Sequence, residues 1–347
     1  MVSRRTLTLV LSTTLAVALM LAALVLPVPY VVLSGGPAFN TTGSTTGQPD
    51  GAPVITITGR ETFPTDGQLD LTTVSVDRDV TLAEAVLGWF NREEAVAPEE
   101  IYFPQDQTEA QQQAESTQQM VQSQSSAKTA ALVELGIPVT VAVRSVGPAS
   151  PASGRLQPGD ELVQVDGRDV TSPTVLRDLI AGRSPGADVR LSVRRDGVVR
   201  DVALTTVAAP GETPARAYIG IETAVTRYPF EISIALEGVG GPSAGLMFAL
   251  GVIDKLGPGS LTLGKHVAGT GEITDDGAVG PIGGIQQKMA AARRNKVDVF
   301  LVPTDNCADA EANRPDGLQL VRVTTLDSAL TALQLIADGG TPRGCAA

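Results

Sequence analysis

The stretch EGVGGPSAGLMFAL (237–250) sets Ser243 between a proline and an alanine, after a glycine pair and ahead of an apolar run. Leu246, Met247, Leu250 and Ile253 recur at helical spacing, and Phe248, Ala249 and Val252 fill other faces, so the run predicts a buried helix. Its N-terminus would carry free backbone N–H groups and the positive end of the helix dipole. Gly240 and Gly241 let a substrate backbone approach closely, and Pro242 sets the turn into the helix. Ser243 is then either an ordinary N-cap, worth about 1 kcal/mol, or a nucleophile with oxyanion donors beside it, worth roughly 3–4 kcal/mol for one good donor. The N-cap reading does not account for the flanking glycines.

A nucleophilic serine needs a base, and the chain has one histidine, His266. A different base stands in GPIGGIQQKMAAARR (280–294). There Ile285, Lys288, Met289 and Ala292 take positions i, i+3, i+4 and i+7, the core-facing set of a helix. Lys288 is the charged member of an apolar stripe. It either snorkels out to water or is buried, and burial disfavours the ammonium. Lowering its pKa by about 3 from a reference near 10.4 costs roughly 4 kcal/mol and yields a usable general base. Such a lysine deprotonates a neighbouring serine without histidine. His266 reads as a packed or surface residue, because a triad through it would leave the Lys288 stripe unexplained.

Two decoys fall away on spacing. GSLTLGKH (259–266) matches Gly-x4-Gly-Lys, but His266 stands where a phosphate loop needs Ser or Thr, so no nucleotide is expected. Asp275-Asp276-Gly277 reads as a hairpin turn, without the alternating carboxylates of a calcium loop. One histidine and two cysteines are too few for the usual zinc site, so neither a metal nor another cofactor is expected.

GPSAG followed by AGTGEIT and then GPIGGIQQK closely resembles the proteolytic domain of Lon proteases, over about 216–337. The resemblance implies a serine endopeptidase with Ser243 as nucleophile and Lys288 as dyad base, and Thr270 helping to hold the lysine. It also implies a possible hexameric ring. Gly240 stands where many ATP-dependent members carry an acidic residue that blocks the idle site, so that self-locking is not expected. The chain shows no ATPase module ahead of this region, which points to ATP-independent cleavage of peptides or unfolded envelope proteins. A catalytically silent scaffold is the alternative.

The remaining elements must position or deliver substrate to that pair. VTVAVRSV, a Gly/Pro corner, ELVQVDG, the helix-like SPTVLRDLIAG and a hairpin at Asp196-Gly197 run over 135–208. This pattern resembles a PDZ domain of the bacterial protease-associated type, which would capture an extended peptide by strand addition. Its expected groove lies between VTVAV and TVLRDLI, with Val139, Val141 and Leu176 as candidate peptide contacts.

Upstream, LTLVLSTTLAVALMLAALVL (7–26) has the length to span a bilayer, and the apolar run goes on to Leu33. Arg4 and Arg5 precede it and the next charge is Asp50, so the N-terminus is expected in the cytoplasm and the bulk outside. An uncleaved anchor is favoured over a signal peptide because the run is long and shows no clear cleavage site. The expected organisation is thus α+β and multidomain. A cytoplasmic tip and transmembrane anchor (1–33) lead through a flexible tether (34–50) to a region with a helical segment (51–134). The PDZ-like β-rich domain (135–208), the Lon-type α+β domain (216–337) and a tail (338–347) follow. Within 51–134 the Gln/Ala/Ser-rich segment suits a solvated helix. The net charge of −12 argues against a nucleic-acid partner and against charge-driven binding to anionic lipid. Cys307 and Cys345 are free to pair in an oxidising compartment.

Overall fold

The computed structural model describes residues 4–45, 51–104, 106–211, 214–236 and 238–346. Helix α1 (Arg4–Ala23) buries nothing against the rest of the chain and is long and apolar enough to cross a membrane. The chain then enters β1 (Tyr30–Asn40), β2 (Gln68–Asp77), α2 (Leu82–Phe90), β3 (Ala95–Pro98) and α3 (Glu99–Tyr102). Helix α4 (Glu109–Glu134) opens on a capping box in which Thr108 and Gln111 satisfy each other's backbone N–H groups.

A second unit follows: β4 (Thr140–Val146), β5 (Glu161–Val165), α5 (Pro173–Ala181), β6 (Asp188–Arg195), β7 (Val198–Thr205) and β8 (Ile221–Arg227). These strands form an antiparallel sheet in the order β8-β4-β5-β6-β7. The first unit then resumes with α6 (Gly245–Leu256), β9 (His266–Gly269), α7 (Ile285–Arg294), β10 (Val299–Pro303), α8 (Cys307–Ala312), β11 (Gln319–Val323) and α9 (Leu326–Ala337).

Strands from both sides of the inserted unit share one six-stranded sheet, ordered β11-β10-β9-β2-β1-β3. β11, β10, β9 and β2 run parallel, while β1 and β3 are antiparallel to their neighbours. Every residue of β10 is buried, as expected for a parallel strand covered on both faces. Val299 and Leu301 join the core that contains α6, α4 and α9; Phe300 and Val302 join a separate core with α7 and α8. Alternation along a strand therefore puts α6 and α7 on opposite faces of the sheet.

Several boundaries differ from the sequence reading. The anchor helix stops at Ala23, since Pro27 and Pro29 cannot continue it. Val31 and Leu33 lie buried in β1, so the end of the apolar run is core strand. The tether reading fails over 34–45: Ser34–Asn40 belongs to β1, and buried Thr41 donates to Leu69 O at 2.9 Å. The remainder of that tether, 46–50, lies outside the described residues. Residues 51–134 are no separate region, because β2 and β3 complete the sheet that carries β9–β11. The PDZ-like sheet runs past 208, since β8 pairs with β4 through Ile221↔Val146 to Arg227↔Thr140. The reading of 216 as the start of the Lon-type domain therefore fails as well. Helix α4 is solvated only in its first half. From Met120 onward it buries Met120, Ser123, Ser126, Ala127 and Thr129–Leu132, mostly small side chains that let it pack closely on α6. The tail folds back through a Cys307–Cys345 disulfide, with Cα atoms 5.0 Å apart.

Candidate active site

Ser243 and Lys288 come from opposite faces of the sheet and meet beyond the C-terminal end of β9, where Thr270 follows. The Lys288 Nζ donates to Ser243 Oγ at 2.7 Å and to Thr270 Oγ1 at 2.9 Å. Thr270 Oγ1 in turn donates to Ser243 O at 3.0 Å, and Gly271 N–H donates to the same carbonyl at 2.9 Å. Lys288 keeps 3% of its surface and Thr270 1%, while Ser243 is half-buried. Burial pushes the Lys288 ammonium down to about 8, with Glu272 pulling the other way. The N-cap of α6 is Ala244, which makes no side-chain cap, so the Ser243 hydroxyl is turned to the lysine and does not cap the helix.

Local sequence explains these positions. Lys288 falls in the apolar stripe of α7, whose N-cap Gly284 has φ +68°. A side chain at Gly284 would be strained in that conformation and would stand 2.6 Å from Val74 Cγ2. The serine turn is braced by α4. Gly241 N–H donates to Ser116 O at 3.1 Å, and Ser123 Oγ donates to Pro242 O at 2.9 Å. A Cβ on Gly240 would lie 1.9 Å from Ser116 Oγ. Ser116 thus fills the space that an acidic side chain at position 240 would need. Of the glycine pair, Gly241 commits its N–H to α4, and Gly240 provides the close contact with it. Neither Ser116 nor Ser123 stood out in the sequence, because a Gln/Ser-rich helix shows no apolar period to betray a buried face.

The Ser243–Lys288 pair opens into a cleft of about 620 Å³ lined by β2 from Leu71 to Asp77, by Tyr102 and by Glu272. β2 pairs with β9 only as far as Leu71, so the edge beyond it faces this cleft. His266 is elsewhere: its Nε2 pairs with Asp70 Oδ2 at 2.7 Å.

A second cleft, of about 570 Å³, lies between α5 and the chain from Ala217 into β8. Leu176, Arg177 and Ile180 form one wall and Tyr218–Ile221 with Thr223 the other. Thr274–Asp276, the turn of the hairpin Glu272–Ile273/Val279–Gly280, closes one end. Arg177 Nη1 donates to Asp276 Oδ2 at 2.7 Å, joining the two units. Of the candidate peptide contacts, Leu176 lines this cleft, but Val139 and Val141 do not. Val141 is fully buried, Val139 nearly so, and β4 is hydrogen-bonded on both sides, by β8 and β5. Strand addition requires an open edge; the edge strands of this sheet are β8 and β7, and β8 is the one that lines the cleft beside α5. The alternating run YIGIETAV (218–225) was the available signal; it lay beyond the expected end of the domain.

Residues 237–335 match the Lon protease (S16) C-terminal proteolytic domain, and residues 112–206 match the PDZ domain. The chain therefore carries a serine protease domain of the Lon type together with a PDZ domain. A Lon protease of Azospirillum brasilense is 40% identical over 94 residues, which are 26% of this chain and 11% of that protein. Lon protease 2 of Bacillus subtilis (strain 168) is 32% identical over 104 residues, covering 29% of this chain and 18% of its own length. The chain thus spans less than a fifth of the length of these relatives. The crystal structure of a PDZ domain of an SdrC-like protein from Listeria monocytogenes is 24% identical, with a TM-score of 0.22, covering 24% of this chain and 85% of that one.

Proposed function

We propose that the chain is an ATP-independent serine endopeptidase working through a Ser243–Lys288 dyad, held at the outer face of a cell membrane by α1. The observation that carries this reading is the hydrogen bond from a buried, easily deprotonated lysine to the serine hydroxyl, at 2.7 Å. Neutral Lys288 takes the Ser243 proton as Oγ attacks a peptide carbonyl, then returns it to the departing amine as the C–N bond breaks. Water, deprotonated by the same amine, attacks the acyl carbonyl; the C–Oγ bond breaks and Lys288 returns the proton to Ser243 Oγ. Backbone N–H groups of the turn after Gly241 stabilise the oxyanion. Thr270 is a positioning residue that fixes the Lys288 amine. Substrate backbone lies along the β2 edge.

The PDZ cleft supports capture of an extended peptide by β8, raising its effective concentration at the dyad. The place directly ahead of the protease domain is held by this peptide-binding unit, which supports action on peptides and already unfolded chains without nucleotide. Cleavage of unfolded casein by the full chain in detergent, without nucleotide, tests the reading. Wild type should cut, and Ser243→Ala and Lys288→Ala should not. Cleavage that survives either substitution would refute the dyad. Wild type inert both to casein and to a serine-reactive probe would favour the silent scaffold.

A further inference from the structure

We propose that the exposed apolar face of α2 is a lipid-docking surface, seated in the interfacial layer of the same bilayer that α1 crosses. The inference rests on reading α1 as an uncleaved span.

Helix α2 is amphipathic in an unusual sense. Ala85 and Gly88 are its buried residues, and the helix packs against β1 and β3. At about 100° per residue, Leu82, Val86, Trp89, Phe90 and Leu87 form a contiguous arc of roughly 160° on the opposite side. All five are exposed, Phe90 at 83%, Leu87 at 69% and Trp89 at 60%. Glu84 is used up in the capping box with Thr81. A soluble surface that leaves such residues together is marking an interaction site.

The occupant follows from where the helix begins. Leu24, Val25 and Leu26 continue the apolar surface of α1. Leu26 O then accepts a hydrogen bond from Leu82 N–H at 2.9 Å, Pro27 bridges to Thr81, and Val28 N–H donates to Val80 O at 3.1 Å. The first turn of α2 is therefore bonded to the exit of the membrane segment. A 20-residue helix spans about the 30 Å of a hydrocarbon core, which leaves α2 at the surface with no linker to carry it away. Leu82–Phe90 contains no basic residue, so the driving force is apolar burial, without attraction to anionic headgroups. Trp89 and Tyr30 stack edge-on with centroids 6.1 Å apart, the aromatic pair expected at a membrane interface. Helix α3 packs on the same two strands, β1 and β3; its Ile101 is also exposed, and the neighbouring Tyr102 lines the cleft beside Ser243. Docking would hold that cleft close to the bilayer.

Trp89 is the only tryptophan in the chain, so its fluorescence reports this surface alone. The full chain would be reconstituted in phosphatidylcholine vesicles with and without acyl-brominated lipid. Flotation after alkaline carbonate wash monitors the anchor. The expected result is floating protein whose emission is blue-shifted, strongly quenched by brominated lipid and shielded from acrylamide. Leu87→Asp/Phe90→Asp, at two exposed positions, should float and keep its circular dichroism while losing most of the lipid quenching. Floating protein whose Trp89 is quenched by acrylamide but not by lipid would overturn the docking surface and leave the anchor intact. Shielding from both quenchers would assign the face to a second copy of the chain and likewise overturn it. Protein released by carbonate would remove the anchor reading itself, and the inference with it.

Discussion

The molecule has two clefts, and they are built in opposite ways. At the proposed dyad, the groups are side chains tied to one another, with Lys288 and Thr270 buried to within a few per cent and Ser243 half-buried: Lys288 holds Ser243 and Thr270, and Thr270 holds the Ser243 carbonyl. In the cleft of the PDZ-like unit the working feature is backbone, the free edge of β8 beside α5. It is joined to the protease unit by a half-exposed Arg177–Asp276 pair. The first site depends on which residues are present, the second on how strands are ordered. Substitutions should therefore act on the two clefts very differently.

The sharpest separation comes from the dyad itself. Ser243→Ala and Lys288→Met should each reduce turnover by about 10⁴-fold or more, as for other nucleophile–base units. Binding of an extended peptide to the β8 cleft, measured by fluorescence anisotropy, should be unchanged. A parallel loss of binding would show that the two clefts are not independent.

The second expectation concerns stability. Native Lys288 sheds its proton at about 8, while the unfolded lysine holds it to about 10.4. The unfolded state therefore binds more protons between these values, and stability should rise with pH across that window. Lys288→Met has no such titration and should be about 1–3 kcal/mol more stable than wild type at neutral pH. Chemical denaturation at pH 7 and pH 10 measures both quantities.

Packing behind the serine turn supplies the third. Gly240→Ala forces Ser116 out of place and should cost about 1–3 kcal/mol by overpacking. Ser116→Gly in the same chain should recover most of that loss in thermal melts, and additivity of the two changes would contradict direct contact. Thr270→Val, which keeps the shape but removes one partner of the Lys288 amine, should lower kcat by about 10-fold, the equivalent of one buried hydrogen bond. The smallest effect belongs to the link between units. Arg177→Ala should change stability by no more than about 1 kcal/mol, since the pair is partly exposed, and should leave hydrolysis of short peptides intact.

The same contrast governs what could be read in advance. Ser243 and Lys288 were legible because each breaks a local pattern: a serine among glycines at a helix entrance, and a lysine in an apolar stripe. Thr270 was legible only through resemblance, since a strand-end hydroxyl has no pattern of its own. The β8 edge was missed because strand order is a non-local property; VTVAV and YIGIETAV are both alternating runs, and only pairing shows which one is central. A parallel or central strand buried on both faces reads as a continuous apolar run. That is why Val31–Leu33 passed for the end of a membrane span. Ser116 and Ser123 were invisible for the converse reason: small polar residues pack a helix closely without any hydrophobic signal.

Every step proposed for this site depends on a neutral Lys288 activating Ser243. Labelling by a fluorophosphonate probe across pH 6–10 tests it most directly, in wild type, Ser243→Ala and Lys288→Met. The wild-type labelling rate should rise with pH and level off above an inflection near 8, and neither variant should be labelled at any pH. Labelling of Lys288→Met at the wild-type rate, or a wild-type profile flat through that range, would contradict it.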